Sequence, residues 1–203
     1  MKSSTQEILP IIGTAMAGGS YAGRIRIDGQ VFALIVAPKA EGEHKPAGWI
    51  SNYKAVPGAQ SHNDGLSNTE AMAEAGSKLA KWARKLAIGG FDDWYLPSLD
   101  ELEVIYRNLK PGTRKNSAWY RSGINLNAVE PTAPYTPDYP LQTPAEAFQT
   151  GGAEAFDEEW YWTSTQHASY SYYAWTQYFH YGGQYNLNTG SKLRARAVRR
   201  LPL

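Results

Sequence analysis

The stretch Gly89–Tyr106, GGFDDWYLPSLDELEVIY, decides the fold. Ser98 and Glu101 stand three apart just before an apolar run, the spacing of a capping box, in which each side chain bonds the other residue's backbone N–H. Leu99, Leu102, Ile105, Tyr106 and Leu109 then recur at steps of three and four. The spacing predicts a helix with one apolar stripe, stopped by Pro111-Gly112. Upstream the design repeats. Ser67 with Glu70 makes a second box, and Met72, Ala75, Leu79, Trp82 and Leu86 make a second stripe that ends at Gly89-Gly90. Both stripes are ordinary core faces, with nothing to suggest a cofactor.

Outward toward the N-terminus, YAGRIRIDGQVFALIVAP (Tyr21–Pro38) places Asp28-Gly29 between two β-rich runs, which predicts a hairpin feeding a well-buried strand. Residues 1–20 read as an arm, tied down by another subunit or packed as a terminal strand, and residues 21–203 as one domain. Residues 38–66 read as a long loop with at most short strands around Trp49–Tyr53. They hold His44 and His62, neither at metal-ligand spacing from another histidine. Residues 110–157 are dense in Pro, Thr, Gly and Asn, with one short helix expected from Pro144 to Gln149, capped by Thr143 and Glu146.

Composition removes several classes of function. At 203 residues the chain is long enough for one domain with a real core. A net charge of +1 gives no electrostatic case for nucleic acid or membrane, and only KLRARAVRR near the end is basic, a run that equally suits the solvated face of a strand. There is no cysteine, hence no disulfide framework, thiolate metal site or cysteine nucleophile. Glu7 and Pro10 interrupt the apolar ILPIIGTAMA, which is therefore not read as a signal peptide, and no apolar run is long enough to span a bilayer.

The C-terminal tract carries the functional signal. Eleven of the 26 residues from Trp160 to Tyr185 are aromatic against 13% overall, with polar atoms between them, which is the composition of a binding surface. Tyr173, Trp175, Gln177, Phe179 and Tyr181 alternate with Ala174, Thr176, Tyr178 and His180, predicting a strand, a Gly182-Gly183 turn, a return strand from Gln184 and a closing strand Leu193–Leu201. Trp162, Ala174, Trp175, Phe179, Leu193, Ala195 and Ala197 are assigned to the scaffold. The contact candidates are Gln166, His167, Ser169, Tyr170, Tyr172, Gln177, His180, Tyr181, Gln184, Tyr185, Asn186 and Asn188. Aromatic faces would stack on sugar rings or apolar side chains while amides and hydroxyls fix orientation.

Taken together, Gly89–Tyr106, YWTSTQ (Tyr161–Gln166), AWTQYF (Ala174–Phe179) and LRARAVRR (Leu193–Arg200) resemble a family of domains at the C-terminus of collagen-like bacterial adhesins. The pattern G-x-x-D-W-x-L-P-[ST]-x-x-E-L is met at Gly90, Asp93, Trp94, Leu96, Pro97, Ser98, Glu101 and Leu102, and the resemblance covers about residues 21–201. It implies an α+β chain with a C-type-lectin-like fold of the formylglycine-generating-enzyme type: two helices packed on small twisted antiparallel sheets with long loops. It makes Trp94 and Leu96 core plugs, with Pro97 and Ser98 fixing the helix entry. The tract Gln166–Asn188 also resembles the variable region of proteins diversified by retroelements, which points to a bacteriophage.

The expected function is therefore non-catalytic binding of a host cell-surface receptor, glycan or protein, by a phage tail-tip or tail-fibre protein. The expected location is the virion tail, assembled in the host cytoplasm, with the bacterial cell surface as the alternative. Other tail or fibre proteins would dock through the N-terminal arm, and a homo-oligomer is open. The rival is a structural virion or appendage component that uses the same surface as a subunit interface. No cofactor, nucleic acid or membrane insertion is expected. The formylglycine chemistry of the related enzymes depends on a cysteine pair that this chain lacks, and the carboxylate clusters Asp92-Asp93, Asp100-Glu101 and Asp157-Glu158-Glu159 do not define an acid/base pair. No calcium or other metal site is assigned, since the carboxylate–amide runs of calcium-dependent lectins are missing.

Overall fold

The computed structural model describes residues 9–203; residues 1–8 of the expected arm lie outside the described residues. The architecture is α+β, with four helices and two curled five-stranded sheets among the described residues. β1 (Ala15–Met16) pairs with β2 (Gly19–Ile27), which turns at Asp28-Gly29 into β3 (Gln30–Val36). Asp28 and Gly29 both sit at positive φ, 48° and 84°, as the two-residue turn that matches strand twist demands. The boundary drawn at residue 20 thus falls inside β2, and Leu9 and Ile12 already pack against the core.

α1 (Lys39–Gly42), β4 (Glu43–Ala47), α2 (Gly65–Glu74), α3 (Lys78–Ala83) and α4 (Leu99–Leu109) follow. Then come β5 (Ala128–Val129), β6 (Trp160–Gln166), β7 (Tyr173–Tyr178), β8 (Gln184–Asn188), β9 (Leu193–Arg196) and β10 (Val198–Pro202). The first sheet runs β1-β2-β3-β10 with β5 added on β2, and the second runs β4-β9-β6-β7-β8. All pairs are antiparallel except β6 with β9, so the second sheet is mixed and departs from the purely antiparallel expectation. α4 packs on β2 and on β6 and β7, and its expected apolar stripe is buried throughout.

α4 carries the full capping box, Ser98 Oγ accepting from Glu101 N and the Glu101 carboxylate accepting from Ser98 N at 2.7 Å. The upstream helix does not run unbroken to Gly89. Asp64, not Ser67, is its N-cap, accepting from Ser67 N at 3.0 Å, and the helix stops at Ala75. Gly76 then takes φ 97°, and Ser77 opens α3 by accepting from Ala80 N. Ser77 Oγ also donates to Trp49 O at 2.6 Å, a bond that a continuous helix would forfeit. Trp94 and Leu96 are fully buried, in two different core clusters.

Three further expectations are corrected. The strand in the 38–66 segment is Glu43–Ala47, because pairing with β9 outweighs the missing N–H of Pro46 at a sheet edge. The helix expected over 144–149 is a single 3-10 turn, Glu146–Phe148. The closing strand divides at the buried Ala197 into β9 and β10, which belong to different sheets.

The arginines of the basic tail are paired within the fold, while Lys192 is exposed. Arg194 pairs with Glu43 and Asp157, Arg196 with Glu154, Arg199 with Asp93 at 2.7 Å and Arg200 with Asp64 at 2.8 Å. Partners from four other segments neutralise the run and leave its charge inside the fold. No helix among the described residues is long and apolar enough to cross a membrane.

Candidate functional site

β7 and its edge neighbour β8 hold the aromatic tract at the rim of the second sheet. Trp175, Gln177 and Phe179 alternate onto one side. Phe179 enters the main core, stacked on Phe156 at 4.1 Å and set edge-on to Tyr106 at 5.6 Å. Trp175, two turns of the alternation earlier, lies beyond the start of α4 and is covered by other rings instead. His167 stacks on it at 5.7 Å, Tyr120 at 5.8 Å, and the Arg121 guanidinium lies 5.3 Å from its centroid.

From Trp175 the rings continue outward in both directions. One branch runs through His167 to Tyr170, Tyr172 and Tyr173, at 5.1, 6.1 and 4.8 Å between successive ring centres beyond His167. The other runs through Tyr120 to Trp119 and Tyr185, with Trp119 and Tyr185 stacked at 5.4 Å. Tyr170, Tyr172, Tyr185, Trp119 and Tyr120 are exposed, so the run is an open surface of large rings, wider than single exposed apolar residues provide. Tyr53, also exposed and at φ 55°, borders it where its carbonyl accepts from Ser171 Oγ.

The twelve expected contact residues do not form one face. His167, Ser169, Tyr170, Tyr172, Tyr185, Asn186 and Asn188 gather at the Trp175 end, where Ser169 and Asn188 are exposed and Asn186 is half-buried. His180 and Tyr181 lie beyond the other end of β7, about 17 Å away at the usual rise per residue. There Tyr181 sets its edge to Tyr178, Tyr178 stacks on Trp160, and His180 bonds Glu158 through Nδ1 and meets Arg114 Nη1 at Nε2.

Gln166, Gln177 and Gln184 differ from the other candidates in being buried. Gln166 accepts from Val56 N at 2.7 Å and donates to Lys54 O and Ser171 O, so its amide pins the 54–60 segment to β6. Gln177 and Gln184 face each other across β7 and β8 beneath the Trp175 shelf.

Sequence reasoning missed Trp119, Tyr120 and Arg121. They sit in a segment without periodicity, but SAWYRSG (Ser117–Gly123) has the same Trp, Tyr, Arg, Ser and Gly composition that singled out the C-terminal tract, and that was the available signal. Arg121 Nη2 lies 3.7 Å from Asp100 Oδ1. Burial pushes the Asp100 carboxyl above its ordinary range, against the pull of Asn127, Arg121 and Arg107. His62, 6.5 Å from Trp175, is held below its ordinary value by burial and then by the Arg121 charge.

Two acids of the Asp157-Glu158-Glu159 cluster are engaged by basic side chains, while Glu159 is exposed. Asp157 meets Lys39 and Arg194, and Glu158 meets His180. Among the described residues no group of three or more His, Asp or Glu side chains is placed to hold a metal. The site is thus a shelf of rings with amide and charged groups beneath it, suited to holding a ligand by stacking and hydrogen bonding. One family model, described as the Lcl C-terminal domain, matches residues 47–199, a span that contains α4, the second sheet except β4, of which only Ala47 falls inside, and the ring surface. No curated protein matches the chain.

Proposed function

The chain belongs to the Lcl C-terminal domain family, a family of adhesin-like C-terminal domains, and from there we propose that it is a non-catalytic receptor-binding protein of a bacteriophage tail tip or tail fibre. The ring surface around Trp175 holds a host surface glycan or protein. The observation that carries this reading is the continuous run from Tyr172 through His167, Trp175 and Tyr120 to Tyr185, with its outer rings open to solvent. A C-type-lectin-like scaffold is the companion reading. It is supported by α4 with its D-W-x-L-P approach and by two small sheets that leave long loops around the rim. The tract Gln166–Asn188 would be the variable region, and a template repeat and reverse-transcriptase gene beside the locus are the finding that would support it. Other tail proteins would attach through the N-terminal segment.

Replacing Tyr170, Tyr172 and Tyr185 together by Ala should abolish adsorption to host cells while leaving the thermal midpoint within a few degrees of the parent. All three project from the surface, where truncation removes little packing. Unaltered adsorption rejects the reading.

One observation favours a structural component as a second reading. Ile11, Leu126, Tyr139 and Leu141 are exposed on the N-terminal segment and the long 110–157 segment, as a docking surface would require. Sedimentation velocity distinguishes the two: a monomer with a free ring surface supports receptor binding, and self-assembly lost in the triple tyrosine variant supports a subunit interface.

A further inference from the structure

We propose that Ser117–Gly123 is a strap closed over a notch that binds one neutral hexopyranose ring, with Trp175 as its floor and Gln177, Gln184 and Asp100 as its polar wall. This rests on the receptor-binding reading and narrows its ligand to a glycan.

The first observation is a concentration of unpaired buried polar atoms. Asp100 Oδ1, Arg121 Nε, both Nε2 and Oε1 of Gln177, and Gln184 Oε1 are buried without a hydrogen-bond partner. They lie together. Gln177 and Gln184 are direct partners across β7 and β8, Gln184 Nε2 donates weakly to Leu99 O at 3.4 Å, and Asp100 is the next residue of α4. Asp100 Oδ1 and Arg121 Nη2, at 3.7 Å, are too far apart to bond. Buried polar side chains are satisfied almost everywhere in folded proteins, so a cluster of orphans on one wall marks a place where something else supplies the partners.

The second observation is how the strap is held. Its ends are pinned: Ser117 N donates to Tyr181 O, Tyr135 Oη donates to Ser117 O at 2.9 Å, and Arg107 Nη2 donates to Gly123 O at 2.9 Å. Between them, Trp119 and Tyr120 reach the sheet through ring contacts with Tyr185 and Trp175, Arg121 through its place over Trp175 and 3.7 Å from Asp100, and Ser122 Oγ through a long 3.4 Å contact with Gln184 N. Tyr120 itself sits at φ 57°, a region that a bulky residue occupies only when its surroundings impose it. A segment fixed at both ends and held between them by ring stacking, one cation–π contact and one loose ion pair can lift without unfolding what lies beneath.

The third observation defines the ligand. Tyr120 covers Trp175 nearly parallel, 20° between planes, in the position that the apolar face of a sugar ring takes on an indole. With Tyr120 displaced, ring hydroxyls can donate to the oxygens of Gln177, Gln184 and Asp100 and accept from Gln177 Nε2. Asp100 is the acidic group of the wall, and lifting the strap draws Arg121 away from it, which favours a neutral sugar over an acidic one.

The test uses the full chain and a panel of methyl hexopyranosides of gluco, galacto, manno and N-acetylglucosamine configuration, with methyl glucuronide as the acidic arm, read by saturation-transfer NMR. At least one neutral glycoside should bind and the glucuronide should not. Gln177→Leu should weaken that binding about tenfold or more, because hydroxyls lose their partner, while its thermal midpoint stays equal or rises as the orphaned amide is removed. Trp119→Ala with Tyr120→Ala should tighten binding several-fold by removing the cover.

Absence of binding to both the parent and this uncovered variant overturns the proposal, and so does tighter binding of the glucuronide. A lower midpoint for Gln177→Leu also counts against it, since the amide would then be bonded within the fold. If Gln177→Leu adsorbs to host cells like the parent while the triple tyrosine variant does not, the notch fails and the receptor-binding surface stands. If neither variant changes adsorption, both fail.

Discussion

Glu101 offers the sharpest quantitative test of how the scaffold is held. Its carboxylate is fully buried and binds three donors: Ser98 N at 2.7 Å and Gly65 N at 3.1 Å on one oxygen, Tyr95 Oη at 2.7 Å on the other. One side chain therefore joins the start of α4, the start of α2 and the strand-like approach at Tyr95. Burial pushes its pKa up from 4.5 to about 7, against the pull of these donors and of Arg200. Because the folded value lies above the unfolded one, folding favours the protonated form. The stabilisation is complete below about 4.5 and is lost as pH rises through about 7.

At 1.36 kcal/mol per pH unit, the gap corresponds to about 3 kcal/mol between the two limits. Glu101→Gln keeps the geometry without the charge: its amide oxygen accepts from Ser98 N and Gly65 N, and its NH2 donates to the Tyr95 hydroxyl, which can accept. The variant should match the parent within about 1 kcal/mol at pH 5 and exceed it by about 1–3 kcal/mol at pH 8–9. Urea melts at intervals from pH 5 to 9 measure this. Asp100 and Glu103 are pushed up as well, so the difference between variant and parent is the quantity to plot. Parallel profiles for the two proteins would refute the reasoning.

Two other perturbations probe the segments that frame the site. Lys110 is buried and donates to Asn116 Oδ1 at 2.8 Å, to Pro140 O at 3.0 Å and to Arg114 O, so Lys110→Met should cost about 2–3 kcal/mol in a urea melt and open residues 111–143 to limited proteolysis. Gly76 has open space around it but a φ of 97°, so Gly76→Ala should cost about 1 kcal/mol in the same assay and Gly76→Asn less, a ranking that steric crowding would not produce.

What the sequence disclosed about the fold was whatever short-range chemistry determines. The α4 box and stripe, the Asp28-Gly29 turn and the burial of Phe179 and Trp94 follow from residues within a few positions of one another. The break at Gly76 was hidden because Met72, Leu79 and Trp82 keep a helical spacing across it, and because Ser67 and Glu70 imitate a cap that Asp64 provides. The split of the last strand at Ala197 depends on pairing with β4 and β3, and the pairing of every tail arginine on acids about 40 to 150 positions away, which no local pattern encodes. The site was half visible for the same reason. Composition marked Tyr170, Tyr172 and Tyr185 as surface rings, but it could not separate them from Gln166, whose partners Val56 and Lys54 lie on a distant loop.

That separation bears on how such a surface could change while the fold persists. The register of β7 on β6 and β8 is carried by main-chain bonds, and by buried side chains such as Thr163, which donates to Trp175 O, and Thr176, which donates to Tyr185 O. The outer rings at 170, 172 and 185 add contact area above this frame and bury little of it, so their identity contributes little to stability. The inner amides at 177 and 184 differ from both sets. They have the burial of scaffold residues but lack the hydrogen bonds that stabilise a scaffold, and a fold selected only for stability would replace them with apolar side chains of the same shape. Their place beneath the aromatic strap is what the proposed notch requires, and the midpoint of Gln177→Leu separates a binding role from a structural one.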